Sequence, residues 1–156
     1  RNVRRADPAP WAYVDTSLLV KRYVGEEGSA RARALLRRHR VLSSALLPVE
    51  ALAAIGRRRS AGDLSDRDFT GILAALQRDR QRWELVELTS QVLGRAEQLL
   101  HTERVRTLDA LHIASALEVE GAIGEKLPFL TSDARQRVAA ARAGLQVVWV
   151  GADTRP

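Results

Sequence analysis

The chain has 156 residues, 46% of them hydrophobic and 28% charged, with a formal net charge of +6 at pH 7. Such a length suits one hydrophobic core and the composition is that of an ordinary globular protein, while no apolar run approaches the ~20 residues that cross a bilayer. With no cysteine, disulfides and thiolate metal sites are excluded; the positive charge, carried by arginine except at Lys21 and Lys126, favours polyanionic partners in a reducing cytoplasm.

Residues 1–10 are basic and Pro-containing, without the apolar core of a secretory signal, and read as a tail before a domain spanning 11–156. Position 1 is Arg, so the chain is expected to lack its native start. Trp11-Ala-Tyr-Val14 reads as a short buried strand, after which Thr16 or Ser17 can cap a helix over Leu18 to Val24, stopped by Gly25. Ser29 to Arg40 suits a second helix with Ala30, Ala34 and Leu35 on its apolar face. Val41 to Ser44 follows as a strand. Pro48 fits a first helical turn, which places a helix over Leu47 to Gly62.

Ser65 and Asp68 are spaced like a capping box opening a helix to about Trp83. Glu84 to Thr89 alternates as a strand does. Helices are predicted over Ser90 to Arg104 and Thr107 to Glu120, a strand over Leu127 to Thr131, a helix capped by Ser132 to Ala143, and a last strand over Gln146 to Val150. Strands alternating with helices predict an α/β domain, its mainly parallel central sheet flanked by helices, with functional groups beyond the carboxyl ends of the strands.

Four acids stand out because each is the lone carboxylate of an apolar segment. Asp15 closes the strand in WAYVDTSLLV and Glu50 interrupts SALLPVEALAAI. Asp109 is the one charge in TLDALHIASAL, and Asp133 follows the strand in LPFLTSDARQRV. An ionised carboxylate is costly to bury without a partner. Glu50 and Asp109 fall in first helical turns, where the helix dipole contributes roughly 0.3–1 kcal/mol each, too little to offset repulsion among four convergent acids. A divalent cation is the natural compensation, and an all-carboxylate set suits Mg²⁺ or Mn²⁺ better than zinc.

These segments also carry a family resemblance. YVDTSLLVKRYVGEEGS looks like the opening of PIN-domain toxins of the VapC type; SSALLPVEALAAI resembles the helix bearing that family's glutamate, and TLDALHIASAL and FLTSDARQRVAAARAGLQVV its third and fourth acidic motifs. The match runs from about Trp11 to Val150. The resemblance implies a PIN-like three-layer fold, Mg²⁺ or Mn²⁺ dependence and endonucleolytic cleavage of RNA. It carries Asp15, Glu50, Asp109 and Asp133 onto the metal-site positions, with Thr16 or Ser17 as the hydroxyl beside the first acid and Ser132 as that before the fourth. It further implies a toxin held by a cognate antitoxin peptide that places an arginine in the acidic site.

Other residues are weighed against simpler roles. His112 lies close to Asp109 but is expected to point to another face and to pack structurally. Arg104 and Arg106, just before Asp109, are the better substrate-phosphate candidates than Arg57-Arg58-Arg59. Trp11, Trp83 and Trp149 are expected in the core or an interface. No P-loop, G-x-G-x-x-G or G-x-S-x-G pattern occurs. Leu46, Leu47 and the helix after Ser65 offer apolar surface for a homodimer. A housekeeping RNA-processing nuclease and a non-catalytic nucleic-acid-binding member remain alternatives. A phosphatase or phosphorylated-aspartate receiver lacks its second nearby Asp and its lysine.

Overall fold

The computed structural model describes residues 8–151; the expected N-terminal tail falls largely outside them. Strand β1 (Trp11–Val14) leads into α1 (Thr16–Tyr23) and α2 (Ser29–Arg38), then β2 (Arg40–Ser44), α3 (Leu47–Ser60) and α4 (Asp66–Arg80). Then come β3 (Glu84–Val86), α5 (Ser90–Thr102), α6 (Thr107–Ile123), β4 (Pro128–Thr131), α7 (Ala134–Arg142) and β5 (Gln146–Trp149). The strands form one sheet in the order β3-β2-β1-β4-β5, every pairing parallel. An all-parallel sheet must be covered on both faces, and helices cover both.

Period-two alternation along the central strands divides the core. Ala12 and Val14 of β1, with Leu130 of β4, face Leu18 and Leu19 of α1 and Leu47, Ala51 and Ile55 of α3. Tyr13 and Phe129 face the other way, into a cluster with Ile113 and Ala116 of α6 and Ala139 and Ala140 of α7. Each fully buried Leu or Ile here contributes about 1.5–3 kcal/mol of transfer free energy.

All twelve expected elements are present, with ends shifted by a few residues. Three local expectations need correction. The buried stripe of α2 is Ser29, Ala32 and Leu36, not Ala30, Ala34 and Leu35; the i, i+3, i+7 spacing is equally helical, and both stripes hold only small and aliphatic residues. Helix α6 runs on past its expected end at Glu120 to Ile123, and Glu120 is buried within it. Its carboxylate accepts from the Leu127 backbone N–H (2.9 Å) and from Lys126 Nζ (2.8 Å), tying α6 to the entry of β4. Leu47 is fully buried and offers no interface; the exposed large apolar residues of α3 are Val49 and Leu52. The tryptophans are half-buried: Trp11 and Trp83 pack against the core, and the guanidiniums of Arg40 and Arg137 lie over the rings of Trp11 and Trp149.

The strand order fixes where a site can form. From β1 the chain moves outward through β2 to β3, then returns to β4 on the other side of β1 and moves out to β5. The direction reverses between β1 and β4, and open sheets bind ligands at the carboxyl ends of the strands at such a switch point.

Candidate active site

Asp15 follows β1 and Asp133 follows β4, so the two stand on either side of the switch point. The Asp15 backbone N–H donates to Leu130 O (3.1 Å), fixing the end of β1 against β4. Asp15 is also the N-cap of α1, a role expected of Thr16 or Ser17: its Oδ1 accepts from the Leu18 N–H at 3.0 Å. A β-strand that runs directly into a helix leaves only the junction residue with the extended backbone a cap needs, and Asp15 occupies it (φ −84°, ψ 166°). The same logic corrects Ser132. The N-cap of α7 is Asp133, whose Oδ1 accepts from the N–H groups of Arg135 (2.8 Å) and Gln136 (3.1 Å).

Hydroxyls link the two strand ends. Ser17 Oγ donates to Asp15 Oδ1 (2.7 Å) and accepts from the Ser132 N–H (2.9 Å). Thr131 Oγ1 donates to Asp15 Oδ2 (2.8 Å) and accepts from the Asp133 N–H (3.0 Å). The sequence carries no mark of this role for Thr131, because its burial and its bond to Asp15 arise only in the fold.

Glu50 enters from the first turn of α3 and Asp109 from the first turn of α6. Both line one cleft of about 720 Å³ together with Asp15, Asp133, Thr16, Ser17 and Ser132. Four helix N-termini therefore converge on this cleft, each presenting an acid at its cap or first turn, and their positive dipole ends favour that charge. The compensation is incomplete. Burial pushes the Asp15 carboxyl above the usual carboxylate range, although His112 and the hydrogen bonds from Ser17, Thr131 and the Leu18 N–H oppose the rise. Burial likewise raises Asp109, which is also repelled by the charges of Asp133 and Asp15.

His112 belongs to this site, contrary to the expectation that it points elsewhere. Residues three apart on a helix share a face, and His112 lines the same cleft as Asp109. Its Nε2 stands 2.6 Å from Glu50 Oε1, and its Nδ1 stands 3.0 Å from the Tyr13 hydroxyl. Of the arginine candidates, Arg106 lines the cleft and Arg104 does not; Arg57 and Arg58 of α3 line it as well. Arg58 is paired with Glu26 and, at 3.6 Å, with Asp63.

A family model described as the PIN domain matches residues 12–142. The chain belongs to the PIN-domain family. Its curated relatives include the ribonucleases VapC45 and VapC49 of two Mycobacterium tuberculosis strains, CDC 1551 / Oshkosh and H37Rv. Each is 36% identical over 118 residues, covering 70% of this chain and 77% of the relative. Among solved structures, a toxin–antitoxin complex from Klebsiella pneumoniae superposes on this PIN domain with a TM-score of 0.55 at 15% identity, over 88% of this chain and 95% of that one. VapBC-5, a member of the VapBC family of toxin–antitoxin systems from M. tuberculosis, gives 0.53 at 20%, over 92% and 99%. These structural likenesses establish the fold.

The donor chemistry of the cleft fits a hard divalent cation. It consists of carboxylate and hydroxyl oxygens, and Ser132 Oγ is buried without a hydrogen-bond partner. Among the described residues, no three His, Asp or Glu side chains already form a metal shell. Glu50 is engaged by His112, and Asp133 by the N–H groups of Arg135 and Gln136 in its own helix.

Proposed function

We propose that this PIN domain is a Mg²⁺- or Mn²⁺-dependent endoribonuclease acting in the cytoplasm as the toxin of a toxin–antitoxin pair. The observation that carries the reading is the meeting of Asp15, Glu50, Asp109 and Asp133 in one cleft at the switch point of a parallel sheet. The ribonuclease relatives support the activity and the solved complexes support the partner.

In this reading Asp15, Asp109, Glu50 and Asp133 hold the cation. When bound, the ion supplies Lewis-acid activation of water and neutralises charge on the phosphodiester. Asp15 is the most rigid of the four, held at both oxygens by Ser17, Thr131 and the Leu18 N–H. Arg106 of the α6 N-cap and Arg57 of α3, both lining the cleft, would hold flanking phosphates. An antitoxin segment bearing an arginine would meet complementary charge in the same cleft. A homodimer is proposed on the exposed apolar residues Val49 and Leu52, to be read by light scattering.

The test is incubation of purified protein with total RNA, with and without Mn²⁺, followed by mapping of the cut ends. Cleavage that needs the ion and disappears in Asp15→Asn is expected. Cleavage by pure Asp15→Asn protein at the wild-type rate would refute the assignment.

A further inference from the structure

His112 is almost entirely buried and lies in the wall of the cleft, yet the reading above gives it no task. Its two ring nitrogens are both engaged, on opposite sides. Nδ1 meets the hydroxyl of Tyr13, 3.0 Å away, and Nε2 meets Glu50 Oε1 at 2.6 Å. The neighbouring hydroxyls are committed elsewhere: Ser43 Oγ donates to Val14 O and Ser115 Oγ to Leu111 O. The phenol of Tyr13 is fully buried, and that burial drives its ionisation far above the ordinary range, so it keeps its proton. The Glu50 carboxylate, for its part, can only accept, so its 2.6 Å contact takes the proton of Nε2, and a neutral ring is then left to accept the Tyr13 hydrogen at Nδ1.

That bond decides the tautomer. A neutral imidazole accepting at Nδ1 carries its proton on Nε2, facing Glu50, and an imidazolium also presents Nε2–H there. In either form the ring donates to the Glu50 carboxylate. The ring itself is clamped, packed edge-on against Tyr13 at a centroid distance of 5.9 Å, while Tyr13 stacks on Phe129 at 5.2 Å. A rigid aromatic column thus runs from the sheet to one oxygen of a site acid that otherwise sits on a freely rotating side chain.

We propose that His112 is a positioning residue for Glu50, with Tyr13 as its anchor: Nε2–H fixes Oε1 and leaves the other oxygen of Glu50 for the cleft. The inference rests on the functional reading above. It explains why an apolar helix carries a histidine one turn beyond Asp109, since ligating carboxylates work best when their outer oxygens are held.

The experiment compares His112→Gln, whose terminal amide can reach the place of Nε2, with His112→Asn, whose amide reaches only as far as Nδ1. Loss of an outer-shell partner typically costs 10–100-fold in metal affinity or activity. His112→Asn should fall by about that factor in both Mn²⁺ affinity, read calorimetrically without RNA, and in kcat for cleavage, while His112→Gln stays within a few-fold of wild type. Adding His112→Asn to Glu50→Gln should cost nothing further. Long-range ¹⁵N spectra of the metal-free protein should place the His112 proton on Nε2, and Tyr13→Phe should mix the tautomers with a smaller loss of activity. Equal loss in the Gln and Asn variants, additivity with Glu50→Gln, or a proton found on Nδ1 would overturn the proposal. If Glu50→Gln cleaves normally, or is inactive while His112→Asn is not, this proposal fails and the nuclease reading stands; if the wild-type protein cleaves no RNA with Mn²⁺, the functional reading itself fails.

Discussion

Replacing Asp15 by Asn and by Ala separates the two jobs of that residue, capping a helix and carrying a charge. Asn keeps the carbonyl oxygen that accepts from the Leu18 N–H and Ser17 Oγ, and Asn caps helices as well as Asp does. On the other side, the amide can donate to Thr131 Oγ1, whose own proton can turn wholly to Gln136 Oε1, 3.2 Å away. Ala removes every acceptor. Losing the cap costs about 1 kcal/mol, and a buried N–H left without a partner costs about 1–3 kcal/mol. Taken together as one event, Asp15→Ala should cost about 1–3 kcal/mol, or about 2–12 °C in Tm for a chain of this size.

Asp15→Asn should instead melt at or above the wild-type temperature in chelator, because it removes a charge that the fold disfavours. The folded carboxyl is raised, so the stability it contributes is fully present below the unfolded value of about 3.9 and is lost as pH rises through the higher folded value. The margin of Asp15→Asn over wild type should therefore widen as pH rises from 4 to 7. With Mn²⁺ at about 100 times its Kd the order reverses, since wild type gains about 2.7 kcal/mol by mass action. Thermal melts followed by circular dichroism, at several pH values with chelator or Mn²⁺, read all of this. An Asn variant that melts as low as the Ala variant, or a margin that narrows with pH, would refute the reasoning.

Three further outcomes are expected. Ser132→Ala should be neutral or stabilising in chelator, because it deletes a buried hydroxyl without a partner, yet weaken Mn²⁺ binding in the same titration. Gly28→Ala should lose more stability in urea than Gly62→Ala: both glycines have left-handed φ values (80° and 85°), costing roughly 1–2 kcal/mol, but only at Gly28 does the new Cβ meet a buried neighbour, Val150 Cγ1, at 3.2 Å. Asp79 accepts from Arg22 Nε (2.7 Å) and from the Tyr23 hydroxyl (2.8 Å), which hold its carboxyl below the usual range although burial opposes them. Its stabilisation is present above about pH 3.9 and lost as pH falls through the depressed folded value, so the gap between wild type and Asp79→Asn should close on acidification in urea melts.

Most of the fold is legible because hydrophobic periodicity and turn residues agree locally. Gly25, Pro48, the Ser65–Asp68 pair and Gly144 punctuate the chain where the elements change, and the structure follows them. What the sequence leaves open is set by tertiary contact. The stripe on α2 depends on which of several small residues meets α1, and Leu47 looks like surface until the sheet covers it. The four acids are visible as charges in apolar runs. Their convergence is not, since it depends on β4 returning beside β1. His112 shares the face of Asp109 because three residues make nearly a full helical turn, but its partners Glu50 and Tyr13 lie 62 and 99 residues away in the chain. Thr131 and Glu120 were passed over because their meaning lies in partners 116 and 7 residues away in the chain.

The electrostatics of the cleft explain why a protein of net charge +6 concentrates acids where an anionic strand would be cut. Four helix N-termini contribute roughly 0.3–1 kcal/mol each toward holding those acids ionised. Burial nevertheless raises the carboxyls of Asp15 and Asp109, and Asp109 is repelled as well by Asp133 and Asp15. The fold thus keeps a site short of positive charge, surrounded by a surface rich in it. A phosphodiester drawn in by the arginines would be repelled at the centre, and only a cation between acid and phosphate reconciles the two. Arg57 and Arg106 line this cleft as exposed residues, whereas the four carboxylates are buried or half-buried. Neutralising either arginine should therefore weaken RNA binding and flatten its salt dependence without removing Mn²⁺ affinity, whereas Asp109→Asn should do the reverse. Loss of both properties together from Arg57→Gln would mean that substrate and ion are not held by separate groups.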